Sequence, residues 1–118
     1  MKDLKISELI EMQEALSYKM REQWTPKIPE NGHFMLLYMF EEMVEIVAIL
    51  KKRGDNAVMD DRNVRAAFIE ELSDTLMYYI DLMRCYGISA EELSEAFLTK
   101  HEKNMPRDFE GEHGNYLK

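Results

Sequence analysis

A chain of 118 residues, 46% of them hydrophobic, has material for one compact domain spanning 1–118 and little more. Its 15 Lys and Arg stand against 23 Asp and Glu, a formal net charge of −8, which argues against polymeric nucleic acid because a phosphate backbone is gripped by a basic surface. A single cysteine, Cys85, makes no internal disulfide, and the N-terminal MKDLKISELIEMQEAL is too charged for a signal peptide or membrane span, so the expectation is a soluble, cytoplasmic protein without membrane association.

Apolar residues recur at helical spacing along the chain and no stretch alternates like a half-buried strand, so the fold class expected is all-α. The spacing predicts a first helix from about Asp3 to Gln23, its apolar side supplied by Leu4, Leu9, Ile10, Met12, Ala15, Leu16 and Met20. TPKIPENG, residues 25–32, ends it with two prolines and a glycine. A second helix should start at Gly32 or His33 and run to Arg53, where Gly54 supplies a stop. DNAVMDD is then a short connection with room for one helical turn. A third helix is expected from about Asp61 to Tyr86, ended by Gly87. Ser89 and Glu92 fit a capping box that opens a fourth, fading by Asn104 because Pro106 cannot continue it. The tail from 108 to 118 reads as irregular, or as a segment draped over a partner subunit.

The second helix raises the chemical question. It is apolar nearly all round, which is the mark of a central helix, yet it carries Glu41, Glu42 and Glu45. Positions three apart share a face, so Glu42 and Glu45 are neighbours, as are Glu71 and Asp74 on the third helix. One such pair is most simply a solvated stripe. Two pairs, on apolar helices joined by a short turn, can converge, and four carboxylates tolerate one another only around positive charge. Mg²⁺ suits that role, with Mn²⁺ an alternative, since both take oxygen ligands. A di-iron site needs Glu-x-x-His on helices, and the matches at Glu30/His33 and Glu110/His113 fall in turn-like segments. No histidine accompanies the acidic pairs, which disfavours zinc.

EEMVE, then EELSD, then KHEKNMPR together resemble the MazG-like nucleotide pyrophosphohydrolases, whose signature is E-x-x-E followed by E-x-x-D. The likeness covers the chain from HFMLLYMF through KHEKN. It implies a four-helix-bundle-like all-α NTP pyrophosphatase fold in a homodimer or homotetramer. The implied activity is Mg²⁺-dependent hydrolysis of a nucleoside triphosphate to monophosphate and pyrophosphate, in the manner of nucleotide-pool housecleaning. By matching position, the metal ligands would be Glu42, Glu45, Glu71 and Asp74, and Glu41 would orient or deprotonate the attacking water. Lys103, Asn104 and Arg107 match the trailing motif and, with Lys100, would bind phosphates. Taken alone, that cluster is ordinary charge at a helix C-terminus. Trp24, Tyr38 and Phe34 are candidates to pack against the base and His33 to hydrogen-bond it, although a lone tryptophan more often packs in a core or interface. Asp81 is either a fifth acid near the site or a solvated or salt-bridged residue. Met43 and Val44 stand where relatives often carry a small residue, and Pro106 interrupts the trailing motif. The rival expectation is a noncatalytic helical interaction module with vestigial acidic motifs.

Overall fold

The structure, a computed structural model, describes residues 1–108, 110 and 111. Among the described residues the elements are four α-helices, with no strand: α1 (Ile6–Lys19), α2 (Gly32–Asp60), α3 (Arg62–Cys85) and α4 (Ala90–Asn104). A short 3₁₀ turn, Pro29–Asn31, leads into α2. The all-α reading therefore holds. No helix among the described residues is long and apolar enough to cross a membrane. Contacts cluster into two units, Met1–Ile88 and Ser89–Lys118.

The first unit is built on a pairing of α2 with α3, and α1 packs on α3. The Tyr38 and Tyr78 rings meet 5.6 Å apart, and one turn further along α2 Glu42 reaches Asp74, one turn earlier on α3. Contacts that advance along one helix and retreat along the other make the two antiparallel. Met35, Val58, Val64, Ile80, Met83 and Cys85 are buried. Full burial of such a side chain contributes about 1.5–3 kcal/mol. Val58 and Val64 flank the corner at Asp61, whose carboxylate accepts from the backbone N–H of Asn63 (2.9 Å) and Val64 (3.2 Å) and so caps α3.

Helix boundaries follow local chemistry. Gly54 breaks α2 as expected, at φ 81° and ψ 165°, a backbone region open in practice only to glycine. The connection after it is more helical than one turn, running to Asp60. Gly87, at φ 63°, closes α3: its N–H donates to the Arg84 carbonyl (3.2 Å) and that of Ile88 to the Met83 carbonyl (3.1 Å), the paired bonds of a Schellman stop. At the other end of the unit α1 is shorter than expected. It starts at Ile6, with the Glu8 carboxylate accepting from the Lys5 N–H (2.9 Å), and stops at Lys19. There the Arg21 guanidinium takes the Tyr18 carbonyl at 2.8 Å and lies over its ring, satisfying an acceptor that a longer helix would use.

The expectation of a central α2 is corrected. Of its residues up to Arg53, only Gly32 and Met35 are buried, while Leu37, Phe40, Val44 and Val47 form an exposed stripe at helical spacing. Ile69, Leu72, Leu76 and Tyr79 make a matching exposed stripe on α3. An antiparallel pair with one supporting helix cannot surround its own apolar surface.

In the second unit, α4 opens with the expected capping box, the Ser89 hydroxyl and Glu92 carboxylate each accepting the other's backbone N–H at 3.1 Å. It ends at Asn104. Of the expected irregular tail, Phe109 and residues 112–118 lie outside the described residues, while Glu110 and Gly111 are helical.

Candidate metal centre

Three carboxylates converge where α2 faces α3. Glu42, Glu71 and Asp74 each place an oxygen within 4.8 Å of the other two, and all three are half-buried. The sequence builds this locally: Glu71 and Asp74 share a face one turn apart, and the pairing that brings Tyr38 to Tyr78 sets Glu42 opposite them.

The electrostatics are those of crowded like charges. Glu42 is pushed up to about 7 from 4.5, first by a hydrogen bond with the Glu71 carboxyl, then by burial, then by the charges of Glu71, Asp74 and Glu45. Tyr78 is raised as well, by burial and then by the charges of Glu42 and Asp74. Glu71 Oε2 is buried and meets no hydrogen-bond donor. Such an acceptor is costly to leave unsatisfied.

These features fit a hard divalent cation. Three carboxylate oxygens gathered within 4.8 Å of one another are the kind of hard oxygen donor set that Mg²⁺ takes. A cation would also satisfy Glu71 Oε2 and reverse the pressure on Glu42. Glu45 stands differently. It is exposed and outside the group of three, though its charge reaches Glu42. A fourth carboxylate repelled by three others gains hydration by turning to water. Glu41 is exposed on α2.

Beside the carboxylates opens a cavity of about 450 Å³, into which Glu42, Asp74, Tyr38 and Trp24 all face. Phe34 is not among its walls; it packs against His33, with ring centroids 4.0 Å apart. Lys27, which donates to the Thr25 carbonyl at 2.7 Å, lies 5.8 Å from the Trp24 ring centroid. Asp81 is neither solvated nor a member of the acidic cluster. It is buried, bridged to Arg84 at 3.0 Å, and borders the same cavity. Gln13, also buried, was not singled out by sequence reasoning. A signal was available: Gln13 sits at the centre of the Leu9, Leu16 and Met20 stripe, where a polar residue needs a partner.

Lys100, Lys103 and Asn104 lie on α4 and Arg107 just beyond it, in the second unit. Lys100 and Lys103 border a shallow hollow of about 540 Å³ together with Glu92 and Glu95. Comparison of the chain with protein-family models, with curated proteins and with solved structures finds no match.

Proposed function

We propose that the protein is a Mg²⁺-dependent nucleoside triphosphate pyrophosphohydrolase of the MazG-like kind. The observation that carries this is the convergence of Glu42, Glu71 and Asp74, with an orphaned carboxylate oxygen among them, beside a nucleoside-sized cavity that Glu42 and Asp74 line. The E-x-x-E and E-x-x-D resemblance agrees with it.

A cation held by Glu42, Glu71 and Asp74, with Glu45 turning in as a fourth ligand, supplies charge neutralisation for the phosphates and a more acidic water. The chain's own groups do the rest. Water attacks the α-phosphorus, the bond to the β-phosphate's bridging oxygen breaks, and pyrophosphate leaves; Glu41 accepts the water proton. Trp24, Tyr38 and Tyr78 give the nucleoside an aromatic wall. The resemblance implies phosphate donors at Lys100, Lys103, Asn104 and Arg107, whose chemistry suits a triphosphate. The exposed stripes of α2 and α3 support the inference that two copies associate, completing a four-helix-bundle-like core between them.

The same stripes favour a second reading, a noncatalytic helical interaction module. The two readings part in one assay. The purified chain is incubated with a panel of standard and modified nucleoside triphosphates, with Mg²⁺, with Mn²⁺ and with EDTA, and pyrophosphate is measured. The proposed function requires release from at least one triphosphate, dependent on metal and abolished in a folded Glu42→Gln variant. A folded protein inert toward the whole panel would support the interaction module.

A further inference from the structure

The cavity has a second polar end that the acidic cluster does not account for. Gln13 on α1 and Asp81 on α3 both border it, 6% and 4% exposed, and they are the buried polar residues among those described. Asp81 Oδ1 accepts from Arg84 Nη1 at 3.0 Å and from Gln13 Nε2 at 3.2 Å; Oδ2 accepts from the same Gln13 nitrogen at 3.3 Å. Arg84 is itself held by the Ser17 hydroxyl (2.8 Å) and the Gln13 backbone carbonyl (3.3 Å). The carboxylate is therefore fixed in place and its charge compensated, while Oδ2, with one long bond, keeps unused acceptor capacity. The Gln13 amide is oriented by the same contact, since its oxygen would be repelled by Asp81. Of the two protons on Nε2, one serves the forked bond to Asp81 and the other is uncommitted.

Tying α1 to α3 would need Asp81 and its partners but no cavity beside them. A fixed acceptor and a fixed donor side by side, facing a space of about 450 Å³ with aromatic walls, make a reading edge for a heterocycle. Resting on the assignment of the acidic cluster to the phosphates, we infer that this end of the cavity selects nucleobases with an exocyclic amino group beside an unprotonated ring nitrogen, as in cytosine and adenine. Asp81 Oδ2 accepts an amino proton and Gln13 Nε2 donates to the neighbouring ring nitrogen. Aspartate accepting from the cytosine amino group and carboxamides pairing with adenine are the matching contacts known from base recognition in nucleic acids. Uracil and thymine fit poorly because their ring N–H is flanked by carbonyl oxygens on both sides, one of which would face the carboxylate.

Trp24 is the single tryptophan and lines the cavity, so its fluorescence reports occupancy without any reaction. The full chain in EDTA is titrated with cytidine monophosphate against the monophosphate of 2-pyrimidinone riboside, which differs by loss of the amino group. Adenosine monophosphate is likewise compared with purine riboside monophosphate. At least one amino-bearing ligand should bind about 10- to 100-fold more tightly than its counterpart. In Asp81→Asn that preference should fall below about threefold, and in Gln13→Met, the second variant should Asp81→Asn not fold, it should fall in the same way. Equal binding of each pair by the unaltered chain, no binding of any, or a preference surviving in a folded variant would overturn the inference. Hydrolysis is read separately. Metal-dependent pyrophosphate release without amino selectivity overturns the base assignment alone, whereas amino-selective binding in a chain that hydrolyses nothing overturns the pyrophosphohydrolase reading alone.

Discussion

The Glu42 carboxyl on α2 and the Glu71 carboxyl on α3 bring oxygens within 4.8 Å of each other, and Glu42 is pushed up to about 7 from 4.5. Two acids from different helices crowd one another in this way only where the fold presses them together at a cost, and Glu71 Oε2 is buried without a donor at the same spot. The proposed cation would offset that cost by binding the folded state.

Stability without metal should depend on pH in the direction this shift requires. The folded state binds more protons than the unfolded state between the two pKa values of Glu42, so unfolding free energy falls as pH rises across that window. The contribution is complete below pH 4.5 and lost as pH passes 7. Thermal unfolding in EDTA should show a lower Tm at pH 8 than at pH 5.5. Millimolar Mg²⁺ should restore most of the difference at pH 8, because bound metal stabilises the folded state by mass action.

Glu71→Gln removes one of the crowded charges. Denaturant unfolding in EDTA at pH 8 should find this variant more stable than the unaltered chain, by about 0.5–2 kcal/mol. The order should reverse in saturating Mg²⁺.

The Arg84 ion pair carries weight of the opposite sign. Arg84→Met leaves Asp81 buried with its charge uncompensated, a change that costs about 3–5 kcal/mol. Asp81→Asn combined with Arg84→Met should recover a large part of that loss. A double-mutant cycle by urea unfolding measures the coupling directly.

The exposed stripes of α2 and α3 should be buried between copies. Sedimentation velocity should find the unaltered chain at twice or four times its monomer mass. Val44→Lys, at a position 63% exposed in the single chain, should shift it to monomer while leaving helical circular dichroism intact.

Much of this architecture is legible in the sequence because local chemistry dictates it. Ser89 with Glu92, Gly54 and Gly87 mark helix ends whose geometry depends on those residues themselves, and helical spacing sets Glu71 and Asp74 on one face. Convergence of Glu42 with Glu71 follows from the same spacing plus a short turn. What spacing alone does not convey is how far three helices can enclose one another. An apolar α2 suggests a central helix, yet its Phe40 and Val47 face outward, because burial depends on how many partners a single chain supplies. The role of Asp81 is hidden for a related reason: its partner Gln13 lies 68 residues away, and no local pattern links them. Glu45 repeats the spacing of a ligand, and its exposure depends on where the facing helix lies, which spacing does not convey.

The central claim is that Glu42, Glu71 and Asp74 together hold one divalent cation, and calorimetric titration of Mn²⁺ into the metal-free full chain at pH 8 tests it most directly. The expected result is saturable binding that weakens at least about tenfold in Glu71→Gln, the loss of one charged ligand being worth upwards of 1.4 kcal/mol. No saturable binding by the folded chain, or binding that Glu71→Gln and Asp74→Asn leave unchanged, would contradict it.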